Sequence, residues 1–158
     1  MEEIKIFQLA ERYHKLFPKK DMLAIQQNGV MKTYSTEEYI ETTNNIAYGL
    51  LEMGIEKNDK ICIISSNRPE WSLVDMGINK IGAINAPIYP NITRKEYKYI
   101  IQDCGAKIIF IGSSEIYEKI KNLDKEIDCL KEIYSFDQLD NINNWQEIIN
   151  KGIKLLPL

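Results

Sequence analysis

The sequence predicts an α/β fold: a mainly parallel sheet with helices on both faces, preceded by an N-terminal helix and a β-hairpin. Three observations carry this expectation. From residue 36 onward, helical and strand patterns alternate four times with short loops between them. The runs Ile61-Cys-Ile-Ile64 and Lys107-Ile-Ile-Phe-Ile111 are apolar almost without interruption, as suits strands buried on both faces. The helical patterns open on capping signals and close on glycines. Alternation of this kind builds crossover units on a parallel sheet.

Each element has its own reason. Ile6, Leu9, Ala10, Tyr13 and Phe17 recur at helical spacing, and Pro18 stops that helix. Residues 22–28 and 30–34 read as two strands joined at Asn28-Gly29, a strong hairpin signal. Ser35-Thr-Glu-Glu38 is a capping box that opens a helix with Tyr39, Ile46, Ala47, Leu50 and Leu51 on one face; Gly54 ends it. After the strand at 61–64, Asn67-Arg-Pro-Glu70 carries helix-start marks, with Asn67 as the cap and an early proline. Trp71, Val74, Ile78 and Ile81 share a face of the helix that follows, and Gly82 closes it. Residues 83–89 form the next strand. Thr93-Arg-Lys-Glu96 is a second capping box, whose helix turns Tyr97, Ile100, Ile101 and Cys104 inward before Gly105. A strand at 107–111, a helix near 114–123 and a weaker strand at 130–134 complete the alternation. The Asn-rich stretch from Asp137 to Asn150 has few apolar anchors and reads as a loosely packed helical or loop segment, through to an apolar end at 153–158.

Composition removes several function classes. With 158 residues there is room for one domain, and 44% hydrophobic with 27% charged residues describes a globular chain. Twenty basic against 23 acidic residues leave a net charge of −3, so no global basic field draws nucleic acid. No apolar stretch is long enough to cross a bilayer, and the acidic start does not resemble a secretory leader. These features point to a soluble cytoplasmic protein, with membrane association limited to peripheral contact. The three cysteines Cys62, Cys104 and Cys129 are widely spaced and the single histidine is His14. They make neither a zinc pattern nor a Ser-His or Cys-His nucleophilic pair, and buried reduced thiols are expected at Cys62 and Cys104, which sit inside apolar patterns. His14, beside Lys15, reads as a surface residue.

Motifs for phosphate chemistry are weak. There is no G-x-G-x-x-G, and where a P-loop would need Lys-Ser/Thr after Gly82 the chain has Ala83-Ile84. Acid pairs such as Glu37-Glu38 sit in first helical turns, where the dipole favours them. Asp75 reads as partly buried on its helix. Tyr97 and Tyr99 among Arg94, Lys95 and Lys98 describe a solvated helix face rather than a nucleic-acid platform.

One set of motifs is more specific. Ile64-Ser-Ser-Asn-Arg-Pro-Glu-Trp71, Gly82-Ala-Ile-Asn-Ala-Pro-Ile-Tyr-Pro90 and Ile101-Gln-Asp-Cys-Gly-Ala-Lys-Ile-Ile-Phe110 occur in this order. In order and spacing they resemble the amino-terminal part of AMP-forming acyl-CoA synthetases, particularly long-chain fatty acid:CoA ligases. The resemblance is strongest over residues 6–123. It implies the adenylate-forming fold and, for the complete enzyme, activation of a fatty acid with Mg·ATP to an acyl-adenylate. Pyrophosphate leaves, and the acyl group passes to CoA. The residues themselves read as scaffold: Asn67, Arg68, Pro69, Glu70 and Trp71 start and anchor a helix. Pro87 and Pro90 stiffen the loop around Tyr89, a candidate pocket residue at a strand's carboxyl end.

The family's phosphate loop, adenine and ribose motifs and catalytic lysine have no match in this chain. The expectation is therefore an amino-terminal piece of a ligase, residues 1–158, without ATP, Mg²⁺ or CoA sites of its own, inactive alone and prone to self-association. Two alternatives stand beside it: a stand-alone α/β binding or interaction module, and a piece of another AMP-forming carboxylate-activating enzyme.

Overall fold

The computed structural model describes residues 4–27 and 29–155. In chain order it contains α1 (Leu9–Leu16), β1 (Leu23–Gln27), β2 (Val30–Tyr34), α2 (Thr36–Glu52), β3 (Lys60–Ile64) and α3 (Pro69–Lys80). β4 (Ile84–Ile88), α4 (Arg94–Cys104), β5 (Ala106–Ile111), α5 (Ser114–Ile120), β6 (Glu132–Ser135), β7 (Asn143–Asn144) and α6 (Gln146–Leu155) follow. Short 3-10 turns precede α1 and follow α5.

β3 to β7 form one five-stranded sheet in the order β4-β3-β5-β6-β7, every pair parallel. β1 and β2 make a separate antiparallel pair, as a tight hairpin requires. The predicted fold class thus stands. Asn28 of the expected turn lies outside the described residues; Gly29 beside it has φ 78°.

Alternation along the buried strands gives the sheet two apolar faces. Ile61 and Ile63 of β3, with Ile108 and Phe110 of β5, point to one side, against Tyr39, Ile46 and Leu50 of α2, Leu73, Val74 and Ile78 of α3, and Ile148 of α6. Cys62, Ile64, Ile109 and Ile111 point to the other, against Tyr97 and Ile101 of α4 and Ile116 and Ile120 of α5. Both capping boxes form: Ser35 Oγ accepts from the Glu38 amide at 3.1 Å, and Thr93 Oγ1 from the Glu96 amide at 3.3 Å.

Several local expectations are corrected. α3 is not capped by Asn67, which is exposed; Arg68 holds the cap position in extended backbone (φ −160°, ψ 157°) with no side-chain cap bond. The residue before a proline is driven out of the helical region, so the helix starts at Pro69 itself. Leu51 is 49% exposed, because the inward face of α2 runs through Leu50. His14 is half-buried rather than a surface residue, and its Nδ1 has no partner. Of the apolar residues expected to line the first helix, only Ala10 is buried.

The largest difference lies at the carboxyl end. The Asn-rich stretch that reads as loose contains β7 and leads into α6, which packs closely on α2. A Cβ on Gly49 would lie 2.0 Å from the Ile148 carbonyl oxygen, and one on Gly152 would lie 1.9 Å from that of Asn45. Two helix backbones touch there, and only glycine admits the approach. Trp145 closes the same region with its ring edge-on to Phe136, centroids 5.8 Å apart.

Candidate functional site

Open α/β sheets bind ligands outside the carboxyl ends of their strands, at the point where the strand order reverses. Here the chain passes from β3 to β4 on one side and to β5 on the other. The β3/β5 crevice is filled from within. Gly112, just after β5, sits so close to Ser65 that a Cβ would lie 2.2 Å from the serine Oγ. Arg68 lies across both loops. Its guanidinium donates to Glu70 at 2.9 Å, to the Gly112 carbonyl at 3.2 Å and to Asp137 at 3.0 Å, and lies 5.2 Å from the centre of the Phe136 ring.

This cluster is electrostatically closed. Burial pushes the Glu70 carboxyl up, but the hydrogen bond and charge of Arg68 outweigh it and hold Glu70 below the usual carboxylate range. Lys32 of the hairpin approaches the other carboxylate oxygen of Glu70 at 3.9 Å. Arg68 therefore ties together α3, the loops after β5 and β6 and, through Glu70, the hairpin. A guanidinium with all these partners is a structural clamp, not a free anion receptor.

The open space lies on the other side of β3. A cleft of about 470 Å³ is lined by Ser65, Ser66 and Asn67 after β3, Trp71 of α3, and Pro87, Ile88, Tyr89 and Pro90 at the end of β4. Tyr89 is 84% exposed. Its loop is held from below by Tyr97, whose buried hydroxyl donates to the Pro90 carbonyl at 2.8 Å and to the Tyr89 carbonyl at 3.3 Å. Trp71, expected to anchor α3, packs partly against the core and also forms a cleft wall. Among the described residues, no charged side chain lines this cleft. A larger hollow of about 660 Å³ lies along the solvent face of α4, between Ile92 and Tyr99, away from the strand ends.

The sequence motifs are thus split by the structure. Asn67, Trp71, Pro87, Tyr89 and Pro90 meet around the cleft, whereas Arg68, Pro69 and Glu70 turn away from it. Sequence reasoning missed Asp137, Gly112 and Phe136 as partners of Arg68; nothing local to them marks that role. Asp75 is occupied structurally, accepting from Asn85 Nδ2 at 2.8 Å.

Fold and cleft together define a doubly wound α/β domain that presents a neutral cleft at its strand ends. Residues 12–154 match the family of AMP-binding enzymes, and the chain belongs to that family. It is 26% identical over 106 residues to the long-chain-fatty-acid–CoA ligase FadD15 of Mycobacterium bovis, covering 67% of this chain and 18% of that protein. A crystal structure from Rhodopseudomonas palustris, of a protein assigned as a long-chain-fatty-acid CoA ligase, superposes with a TM-score of 0.77 at 20% identity. It covers 93% of this chain and 36% of the other. The anthranilate CoA ligase AuaEII, in complex with anthranoyl-AMP, also gives a TM-score of 0.77, at 18% identity over 91% of this chain and 27% of its own. The chain spans about a fifth of the length of the curated relatives it matches.

The family implies ATP and a divalent cation, and the residues at this cleft do not fit them. Its polar groups are two serine hydroxyls, an asparagine amide and a phenol, and the nearby arginine is committed to carboxylates. Among the described residues, no group of three or more His, Cys, Asp and Glu is placed to hold a metal ion. A triphosphate with its cation calls for fixed positive charge and carboxylate ligands.

Proposed function

We propose that this chain supplies the amino-terminal part of an AMP-forming acid–thiol ligase whose acid is a long-chain fatty acid. In the complete enzyme ATP and the carboxylate give an acyl-adenylate and pyrophosphate, and CoA then takes the acyl group. The observation that carries the reading is the family match over residues 12–154, joined to relatives named as long-chain-fatty-acid–CoA ligases. The chain's own contribution is a rigid sheet and one wall of a neutral cleft. Tyr89, Trp71 and Asn67 suit an uncharged portion of a substrate, while nucleotide and metal are held elsewhere. The likeness to AuaEII keeps a second reading open, a ligase for another carboxylic acid such as an aryl acid. The 158 residues alone neither activate a fatty acid nor bind ATP tightly, and they self-associate through apolar surface left uncovered. We infer a cytoplasmic enzyme with peripheral contact to membranes that hold its acyl substrates.

The test is ATP–pyrophosphate exchange with fatty and aryl acids, on the purified chain and on the chain extended to the length of its relatives. Exchange by the extended protein alone, with long-chain fatty acids, is expected. Robust exchange by the short chain overturns the division of labour, and preference for aryl acids overturns the choice of substrate. Tyr89→Ala in the extended protein raises KM with kcat little changed if the ring lines a binding wall.

A further inference from the structure

The three cysteines, far apart in sequence, converge behind the sheet. Cys62 lies in the middle of β3, fully buried, with its side chain toward α4. Cys104 is the last residue of α4, and its Sγ stands 3.9 Å from that of Cys62. Cys129, in the segment before β6, packs on the same cluster. Cys104 and Cys129 are half-buried, so an oxidant reaches them before it reaches Cys62.

We propose that Cys62 and Cys104 are an oxidative modification site, closing to a disulfide that staples β3 to the end of α4. At 3.9 Å the two sulfurs are already in contact, and closing to an S–S bond of about 2.05 Å calls for a relative movement of about 2 Å. The co-reactant is a hydroperoxide. The Cys104 sulfur attacks its O–O bond, an S–O bond forms, and water or an alcohol leaves. Cys62 then forms the S–S bond to Cys104, its thiol proton goes to the departing hydroxyl, and a second water leaves. Two thiols are oxidised and one peroxide bond is reduced. Burial and the neighbouring cysteines push the Cys62 thiol well above its ordinary range, so the thiolate is scarce and the closing step is slow. A slow second step leaves time for Cys129 to compete, and the short Cys62–Cys104 approach decides the pairing.

The experiment treats the folded 158-residue chain with hydrogen peroxide, then alkylates free thiols and maps the peptides by mass. The expected result is a loss of 2 Da per chain, with a linked peptide joining Cys62 to Cys104 and Cys129 alone alkylated. The link should form in Cys129→Ser and vanish in Cys104→Ser, both at half-buried positions that tolerate a hydroxyl. Unfolding the chain in urea before oxidation should scramble the pairing. A Cys104–Cys129 link, intermolecular links only, or stepwise overoxidation of Cys104 without any link to Cys62 would each overturn the proposal.

Discussion

The two ends of the chain are both amphipathic helices, and they meet opposite fates. At the amino end, α1 buries only Ala10 and leaves Leu9, Tyr13, Leu16 and the adjoining Phe17 exposed. At the carboxyl end, α6 buries Ile148 and Gly152 against α2 so closely that glycine is needed on both helices. An apolar stripe says that a helix wants a partner; complementary small residues decide whether the partner is reached. Arg68 stands between the two regions. Through Glu70 and Lys32 it steadies the amino-terminal hairpin, and through Asp137 it steadies the loop that leads to α6.

Breaking that shared clamp should have the largest effect. Arg68→Ala leaves the Glu70 carboxylate buried, with Lys32 at 3.9 Å as its remaining cation, and should cost about 3–4 kcal/mol in urea unfolding at neutral pH. Both ends should loosen together in hydrogen exchange. The pH dependence follows from the depressed value of Glu70. A carboxylate held low in the folded state contributes stability above its unfolded value, about 4.3, and loses it as pH falls through the folded value. The parent protein should therefore lose this contribution only below about pH 4, where the gap to Arg68→Ala narrows. A gap that widens on acidification would show that Glu70 is not the group involved.

The carboxyl end comes next. Gly152→Ala places a methyl group into the Asn45 carbonyl, so α6 must shift off α2. The net cost should be about 2–3 kcal/mol, overpacking set against a small gain in helix propensity. If the variant is as stable as the parent, the close contact between the helices does not exist in solution. A smaller effect belongs to Trp71→Ala. Full burial would predict about 3–5 kcal/mol, but the ring is half-buried and faces the cleft, so about 1–2 kcal/mol is expected. The same variant in the extended protein should raise KM, which an anchor acting on the fold alone would not do.

Local signals are legible in the sequence because their physics is local. A capping box joins residues three apart, and an apolar run declares a doubly buried strand without reference to any partner. The parallel order and the separate hairpin followed from those pieces. What stayed hidden depends on distance. Arg68 takes Gly112 and Asp137 as partners 44 and 69 positions away, and no pattern near residue 68 announces them. Asn67 does not hold the cap because the constraint that Pro69 puts on Arg68 outranks side-chain preference. α6 is hard to read because the asparagines at 141, 143 and 144 blur its start, and nothing near Gly152 announces that Asn45 lies against it. The cleft was legible only as a strand end with prolines around Tyr89; that Trp71 and Asn67 face it required the fold.

The smallest effect on stability is expected at the amino end, and it tests the comparison most directly. Leu16 and Phe17 are 56% and 64% exposed, so replacing both by serine removes little buried apolar area. The pair should change the unfolding free energy of the 158-residue chain by no more than about 0.5 kcal/mol. Helix propensity falls slightly at residue 16, and the loss of exposed apolar surface offsets it by reducing non-specific association. Sedimentation should accordingly show less self-association for the double variant at equal concentration. The measurement gains its force when repeated in a protein of the relatives' length. If the stripe on α1 packs against later parts of such a protein, the same two substitutions should cost clearly more there than in the short chain. Equal and small costs in both would show that the stripe faces solvent in either case, and that the two ends of this chain differ by design of the surface. A large cost already in the short chain would mean that α1 is covered in solution, and the contrast between the ends would collapse.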